Sequence, residues 1–434
     1  MPTITMIGAG SITFTRRLYN DIIAQPELRE STIRMVDIDK EKLAAIVGYA
    51  QEVAKRLGYP TQVQGTTDRR RALEGAEVVI CSIAVGTEAD RRADVFIPQR
   101  YGVEQLIGDT LGPGGVFRAL RTGPVMVEIG RDIEEVCPDA WWLNYTNPMA
   151  ICTWAVLKAT KARIVGLCHS VQGTTRQLAG YMGVPYEEVD YWVAGINHMA
   201  WYLRLERSGQ DLYPRLREVM DDPETFAKDP VRFEVFRHFD YFVTESSSHM
   251  SEYVPYFNKD AEHIRQLGRE PRKPREGWDV ERWQKHAERL REELSAEELP
   301  EPKASEEYAS WIIRSLVTAE RRRINGNVLN EGLIDNLPQG CCVEVPCLVE
   351  KRRIAPCHIG PLPPQLAALN RSNTALQECC VDAILERDLR KAYYAVALDP
   401  LTAGRLTLPE IKMMFEEMVE AERESLREYA VRPR

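Results

Sequence analysis

Short apolar runs alternate with longer stretches of helical periodicity across the first part of the chain. The helical stretches include Lys40–Leu57 and Val116–Val136, where apolar positions recur at intervals of three and four residues. Strand–helix–strand repetition of this kind builds a parallel sheet with helices on both faces, and ligands gather at the carboxyl ends of its strands. The strands that this pattern predicts are Thr3–Ile7, Thr32–Val36, Gln62–Gly65, Val78–Ala84, Trp141–Asn144 and Ile164–Leu167.

The pattern changes after these strands. Two extended runs, Tyr191–Ala194 and Trp201–Leu205, come first, and most of the remaining sequence has helical periodicity. The charged stretch Asp279–Glu298 is typical of a solvated helix and linker rather than of a binding surface. The chain is also long for a single compact domain. We therefore predict an α/β protein with a Rossmann-type parallel-sheet domain at residues 1–170 and a second, α+β domain at residues 171–434.

Composition narrows the functional classes. A net charge of −9 argues against nucleic acid as a partner, because nucleic acid attracts a basic face. No apolar run approaches the length that spans a bilayer, so we expect no membrane partner. No basic leader precedes the first predicted strand, and a chain of this size does not need its ten cysteines as disulfide staples. We expect reduced thiols and a cytoplasmic location.

A glycine pair follows the first predicted strand directly. Gly8 and Gly10 allow a tight turn and let a pyrophosphate approach backbone N–H groups. The helix that follows opens at Ser11 and Ile12, and the positive end of its dipole favours a negative charge. Thr13 stands where the usual third glycine would be, so the glycine pair alone is also compatible with a plain turn.

The second predicted strand ends at an acidic residue, Asp37. A carboxylate at this point accepts from a ribose hydroxyl and repels a 2′-phosphate, which favours NAD over NADP. The alternative role for Asp37 is that of N-cap to the helix predicted at Lys40–Leu57. Within the complete strand–turn–helix–strand unit, we favour ribose binding.

Four further segments are expected to converge at the carboxyl edge of the sheet. Each has an ordinary alternative: Cys168 as a small buried apolar residue, Asn-Pro as a turn, His198 as a core histidine. A cysteine and a histidine without further cysteine partners would leave metal positions open for substrate oxygens, unlike a structural zinc site. We interpret the glycine-rich segment as a loop that closes over cofactor and substrate. The segments are Asn144–Pro148, Cys168–Val171, Gly195–His198 and Gly108–Gly115.

In this order, the segments resemble glycoside hydrolase family four, and within it the melibiase-type α-galactosidases. The matching motifs are Gly-Ala-Gly-Ser at 8–11, Asn-Tyr-Thr-Asn-Pro at 144–148, Cys-His-Ser-Val-Gln-Gly-Thr at 168–174, Gly-Ile-Asn-His at 195–198, and the longer stretches 241–247 and 332–345. The resemblance implies a fold like that of lactate and malate dehydrogenases with an enlarged second domain. It also implies bound NAD, a manganese-type divalent ion and a homo-oligomer, dimer or tetramer.

Carried over by position, the resemblance implies that Cys168 and His198 are the metal ligands. It implies that Asn147 binds substrate, and that His169 and Ser170 beside the metal cysteine contact the sugar. A thiolate and an imidazole by their softness suit zinc, so manganese rests on the resemblance and not on ligand chemistry.

The chemistry that the resemblance implies is redox-assisted elimination instead of attack by two carboxylates. NAD removes hydride from C3 of the sugar, and the resulting ketone acidifies the proton on C2. A base removes that proton while the metal stabilises the developing negative charge. The leaving group then departs from C1, water adds, and the hydride returns to C3.

Two proton-transfer roles remain open. An acidic residue follows the metal cysteine in phospho-α-glucosidase relatives, whereas this chain has His169 there. We assign His169 as the leaving-group acid, with Asp109 as second candidate, and the alternative is that His169 only shapes the pocket. Tyr253 is the best positional match for the C2 base, and its alternative role is aromatic packing.

The substrate that the Cys-His-Ser-Val motif favours is a small-molecule α-galactoside. An α-galacturonidase or α-glucuronidase of the same family is the alternative, and it would require a cation near C6. A more distant alternative is an NAD-dependent hydroxy-acid dehydrogenase with His198 as acid–base group. That enzyme would consume NAD in step with product, whereas the glycosidase would recycle it.

Overall fold

The computed structural model describes residues 2–273 and 277–429, and its strands form one twelve-stranded sheet. The strands are β1 Thr3–Ile7, β2 Thr32–Val36, β3 Gln62–Thr66, β4 Val78–Cys81, β5 Trp141–Asn144, β6 Arg163–Gly166, β7 Val189–Ile196, β8 Met199–Arg207, β9 Gln210–Asp211, β10 Arg322–Leu329, β11 Cys342–Glu350 and β12 Arg353–Pro356. The core lies between this sheet and the helices on its two faces.

Eighteen α-helices are found in the described residues. None of them combines the length and the apolar character needed to cross a bilayer. They are α1 Ile12–Ala24, α2 Lys40–Arg56, α3 Arg69–Leu73, α4 Glu88–Arg100, α5 Gly112–Val136, α6 Met149–Ala159, α7 Ser170–Met182, α8 Tyr213–Met220, α9 Pro223–Lys228, α10 Pro230–Phe239, α11 Ser247–Tyr253, α12 Ala261–Gln266, α13 Trp278–Ser295, α14 Tyr308–Thr318, α15 Pro364–Glu386, α16 Leu389–Leu398, α17 Pro400–Ala403 and α18 Leu408–Ala421.

Half of the sheet is parallel, with the order β3-β2-β1-β4-β5-β6. The predicted Rossmann-type arrangement is confirmed, and the strand order reverses between β1 and β4. A reversal of this kind opens a crevice at the carboxyl ends of the strands, where ligands bind. Strand β4 ends at Cys81 rather than at Ala84, and the N–H of Ser82 makes one further hydrogen bond, of 3.0 Å, to the carbonyl of Ile7 at the end of β1.

The other half of the sheet is antiparallel and continues as β10-β11-β7-β8-β9. The prediction of a mainly helical second half was wrong for β10, β11 and β12. Pro346 lies inside β11 opposite Asn325, and a proline in a strand interior normally argues against a strand. Asn327 of β10 pairs with Gly166 of β6, so the antiparallel half joins the parallel half at the strand that precedes Cys168.

The glycine-rich segment Gly108–Gly115 is only partly the loop that we predicted. Its last four residues form the first turn of α5, which begins at Gly112. A Cβ atom on Gly114 would lie 2.5 Å from the carbonyl oxygen of Asp94 on α4. The glycine therefore permits close packing of α5 against the α4 backbone, and this part of the motif has a packing role.

The charged stretch predicted as a solvated linker forms α13 and packs against the first two helices. Ala287 and Leu290 on this helix are buried. The side chain of His286 shares a hydrogen bond of 2.8 Å with the hydroxyl of Thr13, the residue in the place of the third glycine. The helix therefore covers the start of α1 instead of connecting domains.

A buried ion cluster attaches the C-terminal helix α18 to the rest of the fold. Arg121 of α5 lies 2.6 Å from a carboxylate oxygen of Asp94 and also contacts Glu422 just after α18. We expect Arg121→Ala to lower the free energy of unfolding by about 3–5 kcal/mol, because it leaves two buried acids without their cation. The measurement is urea unfolding. The control is Arg100→Ala, which breaks an exposed ion pair with Glu417 and should cost less than about 1 kcal/mol. Equal losses in the two variants would contradict the prediction.

Candidate functional site

The loop between β1 and α1 has a backbone that only glycine fits. Gly8 has a φ of +84°, and its N–H donates to the carbonyl of Val36 at 2.9 Å. A Cβ atom on Gly8 would lie 2.2 Å from the carbonyl oxygen of Ser82, which is backbone and cannot rotate away. The close approach of β1, β2 and β4 at this point therefore depends on Gly8.

Asp37 lies against this loop and does not cap a helix. Its carboxylate accepts from the N–H of Gly10 at 2.6 Å and from the N–H of Asp39 at 2.9 Å. The N-cap of α2 is Asp39, whose side chain accepts from two backbone N–H groups in the first turn. Asp37 is half-buried, and the neighbouring Ile38 is 96% exposed. Asp37 therefore lies beside the glycine turn at the end of β2, which is the position of the acidic residue in dinucleotide-binding folds.

Ser11 and Ile12 begin helix α1 in different environments. Ser11 is exposed and is the N-cap, but its hydroxyl makes no capping hydrogen bond. Ile12 is buried in the core, and its N–H donates to the carbonyl of Gly10 at 2.9 Å. Ser11 thus presents a side chain at the helix N-terminus, whereas Ile12 anchors the turn.

Three donor atoms meet beyond the carboxyl end of β6. The Sγ of Cys168 lies 3.3 Å from Nε2 of His198, and each of these atoms lies 3.9 Å from an Oε2 atom of Glu245. Cys168 lies two residues after the end of β6. His198 lies in the tight turn between β7 and β8. The structure therefore brings the two predicted metal ligands together and adds a carboxylate beside them.

The electrostatics of this cluster suit a cation. Burial, and then the neighbouring His249, lower the pKa of His198 to about 4, so its imidazole is neutral and free to act as a ligand. Burial, and then the carboxylates of Glu245 and Glu344, raise the pKa of the Cys168 thiol well above its ordinary value. A buried thiolate between carboxylates therefore requires a positive charge beside it, and a divalent ion supplies one.

A chain of polar contacts connects the donor cluster to the other predicted segments. His249 lies 3.3 Å from an oxygen of Glu245 and 3.9 Å from an oxygen of Asp109. Arg118 lies 3.9 Å from the other Asp109 oxygen, and its Nε donates to the carbonyl of Asn147 at 3.4 Å. The predicted convergence of these segments is thus observed as neighbouring contacts along one edge of the sheet.

Asp109 is ionised in this environment. Burial would raise its pKa, but electrostatic interactions with Arg118 and then with His249 outweigh burial and lower the pKa below its ordinary value. The backbone before it is held by Glu252, whose carboxylate accepts from the N–H groups of Ile107 and Gly108. The lowered pKa favours the ionised form of Asp109, which makes this carboxyl a weaker candidate than His169 for protonating a leaving group.

His169 and Ser170 differ sharply in exposure although they are neighbours. The His169 side chain is 64% exposed, and its Nδ1 lies 3.8 Å from an oxygen of the buried Glu307. Ser170 is buried at the start of α7. His169 thus stands beside the donor cluster with room to reach a substrate, whereas Ser170 faces inward.

Tyr253 is 1% exposed and lies on the inner side of α11. Its hydroxyl has no hydrogen-bond partner within the described residues. Burial, and then the charge of Asp109, raise its pKa well above the ordinary value. Its ring centroid lies 6.3 Å from that of His198, so the predicted base neighbours the donor cluster, but its ionisation would need a cation.

Two residues of the site, Glu245 and His249, were missed in the sequence. Glu245 lies within the stretch 241–247 that carried the family resemblance, and His249 lies just after it, in the first turn of α11. The signal that could have indicated them is the presence of two ionisable side chains in and directly after a stretch that matches the family.

Comparisons with family models match both halves of the chain. Residues 3–184 match the family 4 glycosyl hydrolases, and residues 193–402 match the family 4 glycosyl hydrolase C-terminal domain. An α-galactosidase of Bacillus subtilis is 39% identical over 99% of this chain and 100% of its own length. An α-galacturonidase of Thermoanaerobacterium saccharolyticum is 31% identical over 96% of this chain and 95% of its own.

Solved structures show the same fold. The putative glucosidase lplD of Bacillus subtilis has a TM-score of 0.87 and 27% identity, covering 96% of this chain and 99% of its own. A 6-phospho-α-glucosidase from gut microorganisms has a TM-score of 0.83 and 21% identity over 98% of both chains. A malate dehydrogenase of Plasmodium falciparum has a TM-score of 0.52 and 12% identity over 91% of this chain and 100% of its own, which confirms the predicted dehydrogenase-like fold. Because the family models together cover most of the chain and a full-length relative is 39% identical, the protein belongs to glycoside hydrolase family 4.

Proposed function

We propose that this protein hydrolyses α-galactosides with the help of bound NAD and a divalent metal ion, manganese being our choice. The observation that carries the proposal is the proximity of Cys168 and His198, which come from separate elements, at one edge of the sheet. The same edge holds the glycine turn at Gly8 and Gly10, with the carboxylate of Asp37 against it. The relative with 39% identity, an α-galactosidase, supports the substrate class.

The metal part of the proposal rests on the donor set. A neutral imidazole and a buried sulfur, 3.3 Å apart, are close enough to share one ion. The 6-phospho-α-glucosidase from gut microorganisms, a relative in fold, was crystallised with NAD and Mn2+. Bound between Cys168 and His198, the ion would supply Lewis acidity to sugar oxygens.

The NAD part of the proposal rests on the loop at Gly8 and Gly10, with Ser11 and Ile12 at the helix N-terminus and Asp37 at the ribose position. The nicotinamide would supply a reversible hydride acceptor. This chain's own contribution is the tight turn, the N-terminal end of the α1 dipole and the carboxylate beside it.

The other residues divide the binding and proton transfer. His169, exposed beside the donor cluster, is the proton donor to the leaving group, because Asp109 is held as an anion. Asn147, beside Arg118, orients the sugar, and Ser170 lines the inner wall. Tyr253 is the base at C2, since a cation at the donor cluster would oppose the effects that raise its pKa.

The test is release of p-nitrophenol from p-nitrophenyl α-galactoside, with Mn2+, NAD and reductant each omitted in turn. We expect turnover to require all three and to leave no net NADH. Stoichiometric NADH formation from a hydroxy acid, with no cleavage of the glycoside, would instead identify the dehydrogenase alternative.

An α-uronide is the second candidate substrate, and the likeness to an α-galacturonidase favours it. It would require a free cation near C6. Arg118 is the cation beside Asn147, but it already faces the carboxylate of Asp109. We therefore expect kcat/KM for the α-galactoside to exceed that for the matched α-galacturonide, and the reverse order would transfer the proposal to the uronide.

Asp37 supplies a prediction about cofactor choice. We expect Asp37→Ser to weaken NAD binding by about tenfold and to reduce the preference for NAD over NADP, because the carboxylate both accepts from ribose and repels a phosphate. The control is Asp39→Ser, where serine can still cap α2 and NAD affinity should stay within about twofold. Calorimetric titration with both dinucleotides measures the ratio, and an unchanged ratio in Asp37→Ser would remove the ribose assignment.

The remaining organisation is also proposed. A cytoplasmic location is supported by ten cysteines that are all free thiols.

The division into residues 1–170 and 171–434 is supported by the change from parallel to antiparallel pairing after β6, although the outermost residues of both ranges lie outside the described part of the chain. A homo-oligomer, dimer or tetramer, is supported by apolar side chains exposed on α16 and α18, and light scattering tests it; the side chains are Tyr394, Leu398, Leu408 and Met413.

A further inference from the structure

We propose that Glu245 is a third protein ligand of the metal ion, beside Cys168 and His198. The proposal rests on the proposed function, because it assumes that the donor cluster binds a divalent cation. It assigns to Glu245 a role that neither the motif positions nor the family resemblance gave it.

The spacing of the three donor atoms is the first argument. The separations of 3.3 Å, 3.9 Å and 3.9 Å define a triangle among Sγ of Cys168, Nε2 of His198 and Oε2 of Glu245. A point equidistant from three such atoms lies about 2.2 Å from each, within the range of about 2.0–2.3 Å for bonds from a divalent ion to sulfur, nitrogen and oxygen. The three side chains are therefore close enough to share one ion.

The backbone is the second argument. His198 has a φ of +63° and Glu245 has a φ of +75°. Both values lie in the left-handed region, which residues other than glycine rarely adopt. Conformations of this kind persist where the surrounding structure imposes them, and they concentrate at binding sites. Two of the three proposed ligands thus have a strained backbone conformation, which is consistent with a binding site that fixes the direction of their side chains.

The support behind Glu245 is the third argument. Its N–H group lies 3.1 Å from the hydroxyl of Thr174, and a guanidinium N–H of Arg232 donates to the same hydroxyl at 2.9 Å. Arg232 is buried and also contacts Asp229. The buried ion pair of Arg232 with Asp229 therefore holds Thr174, and Thr174 in turn holds the backbone of Glu245.

His249 orients the carboxylate. Its Nδ1 lies 3.3 Å from Oε1 of Glu245, whereas Oε2 is the oxygen that faces Cys168 and His198. The same Nδ1 shares a hydrogen bond of 3.1 Å with the hydroxyl of Ser246, which holds the His249 ring in place. Its proximity to one carboxylate oxygen leaves the other oxygen to face an ion, as in many metal sites where a neighbouring group orients the ligand. His249 also packs edge-to-face against His198, with ring centroids 4.5 Å apart. His249 is thus a positioning residue for two ligands.

A carboxylate ligand changes which metal the site prefers. Cysteine and histidine alone suit zinc, whereas carboxylate oxygen suits harder ions such as Mn2+. Three protein ligands would also leave coordination positions open for sugar oxygens. Glu245 therefore provides a ligand-based reason for manganese, which the thiolate and imidazole do not.

The experiment compares Mn2+ affinity in the chelator-treated full chain, titrated with MnCl2 and followed by electron paramagnetic resonance. We expect Glu245→Gln to weaken Mn2+ binding by about 30-fold or more, because a neutral amide is a poorer ligand than a carboxylate. For scale, loss of a residue that only orients a metal ligand costs about 10–100-fold in metal affinity. Glu245→Asp should recover part of the affinity. The matched control is Glu331→Gln, an exposed glutamate before the 332–345 stretch, whose affinity should stay within about twofold of wild type.

A second readout separates coordination from folding. In the Co2+-substituted protein we expect Glu245→Gln to keep the thiolate-to-cobalt absorption band and to shift the visible ligand-field bands. Unchanged ligand-field bands and an Mn2+ affinity within threefold of wild type would overturn the assignment of Glu245. If wild type itself binds no Mn2+, the proposed function fails instead. If Cys168→Ser and His198→Ala lose Mn2+ while Glu245→Gln retains it, only the third ligand is excluded.

Discussion

Replacing either Cys168 with serine or His198 with alanine should lower kcat by about 10³-fold or more while leaving NAD affinity within about twofold. A bound divalent ion contributes several kcal/mol to stabilising charge in the transition state, and each 1.4 kcal/mol corresponds to a factor of ten. The two residues follow β6 and β7, whereas the proposed NAD loop follows β1, so dinucleotide binding has separate contacts. Turnover of p-nitrophenyl α-galactoside and calorimetric NAD titration measure the two effects.

The control for the first variant is Cys379→Ser on α15. Cys379 is a free, partly exposed thiol, so its loss should change kcat by less than about twofold. Near-normal turnover in Cys168→Ser or in His198→Ala would remove the metal assignment. Equal loss of NAD binding and turnover would indicate that the substitutions disturbed the fold.

Gly8→Ala is the second substitution for which a large effect is expected. Alanine in the left-handed region costs about 1–2 kcal/mol, and overpacking adds about 1–3 kcal/mol. The new Cβ would lie 2.2 Å from the Ser82 carbonyl oxygen, so β1 and β4 must separate at the crevice. We therefore expect the free energy of unfolding to fall by about 2–5 kcal/mol, and NAD affinity to fall by at least about tenfold because the turn that meets the pyrophosphate is displaced.

Gly48→Ala is the matched control, because here the same substitution should raise the free energy of unfolding instead of lowering it. Gly48 lies on the exposed face of α2, and a Cβ there meets nothing within 4 Å. Alanine should therefore raise the free energy of unfolding by about 0.5–1 kcal/mol through helix propensity. Urea unfolding and NAD titration of both variants test the pair. A Gly8→Ala protein that matches wild type in both measurements would contradict the role of this turn.

The parallel half of the sheet could be predicted because its signals are local. Each of β1, β2 and β5 is a short apolar run whose bounds agree with the prediction. The glycine turn, its φ and the following helix also depend on residues within a few positions of one another. The antiparallel half could not be read in this way, since β10 and β11 are buried through pairing with strands far away in the chain. A glycine in β10 and Pro346 in β11 also weakened the local signal.

The candidate site was predicted only in part. Cys168 and His198 were found through the family motif, and the structure places them together. Glu245 lay within a matching stretch but received no role there, because its proximity to Cys168, 77 residues away, appears only in the folded chain. The glycine-rich segment was assigned to a loop because glycine indicates flexibility in sequence, whereas Gly114 provides close packing for α5.

The amino-acid sequence alone determined the strand–helix alternation and the turn at Gly8, and the family resemblance of its motifs led to Cys168 and His198 as the proposed metal ligands. Periodicity, backbone freedom and side-chain chemistry operate over a few residues, and they do not depend on distant parts of the chain. The tertiary structure decided which carboxylate faces Cys168 and His198, which acid is held ionised beside Arg118, and how β6 meets β10. Those outcomes depend on desolvation and on charges from remote segments, which exist only once the chain has folded.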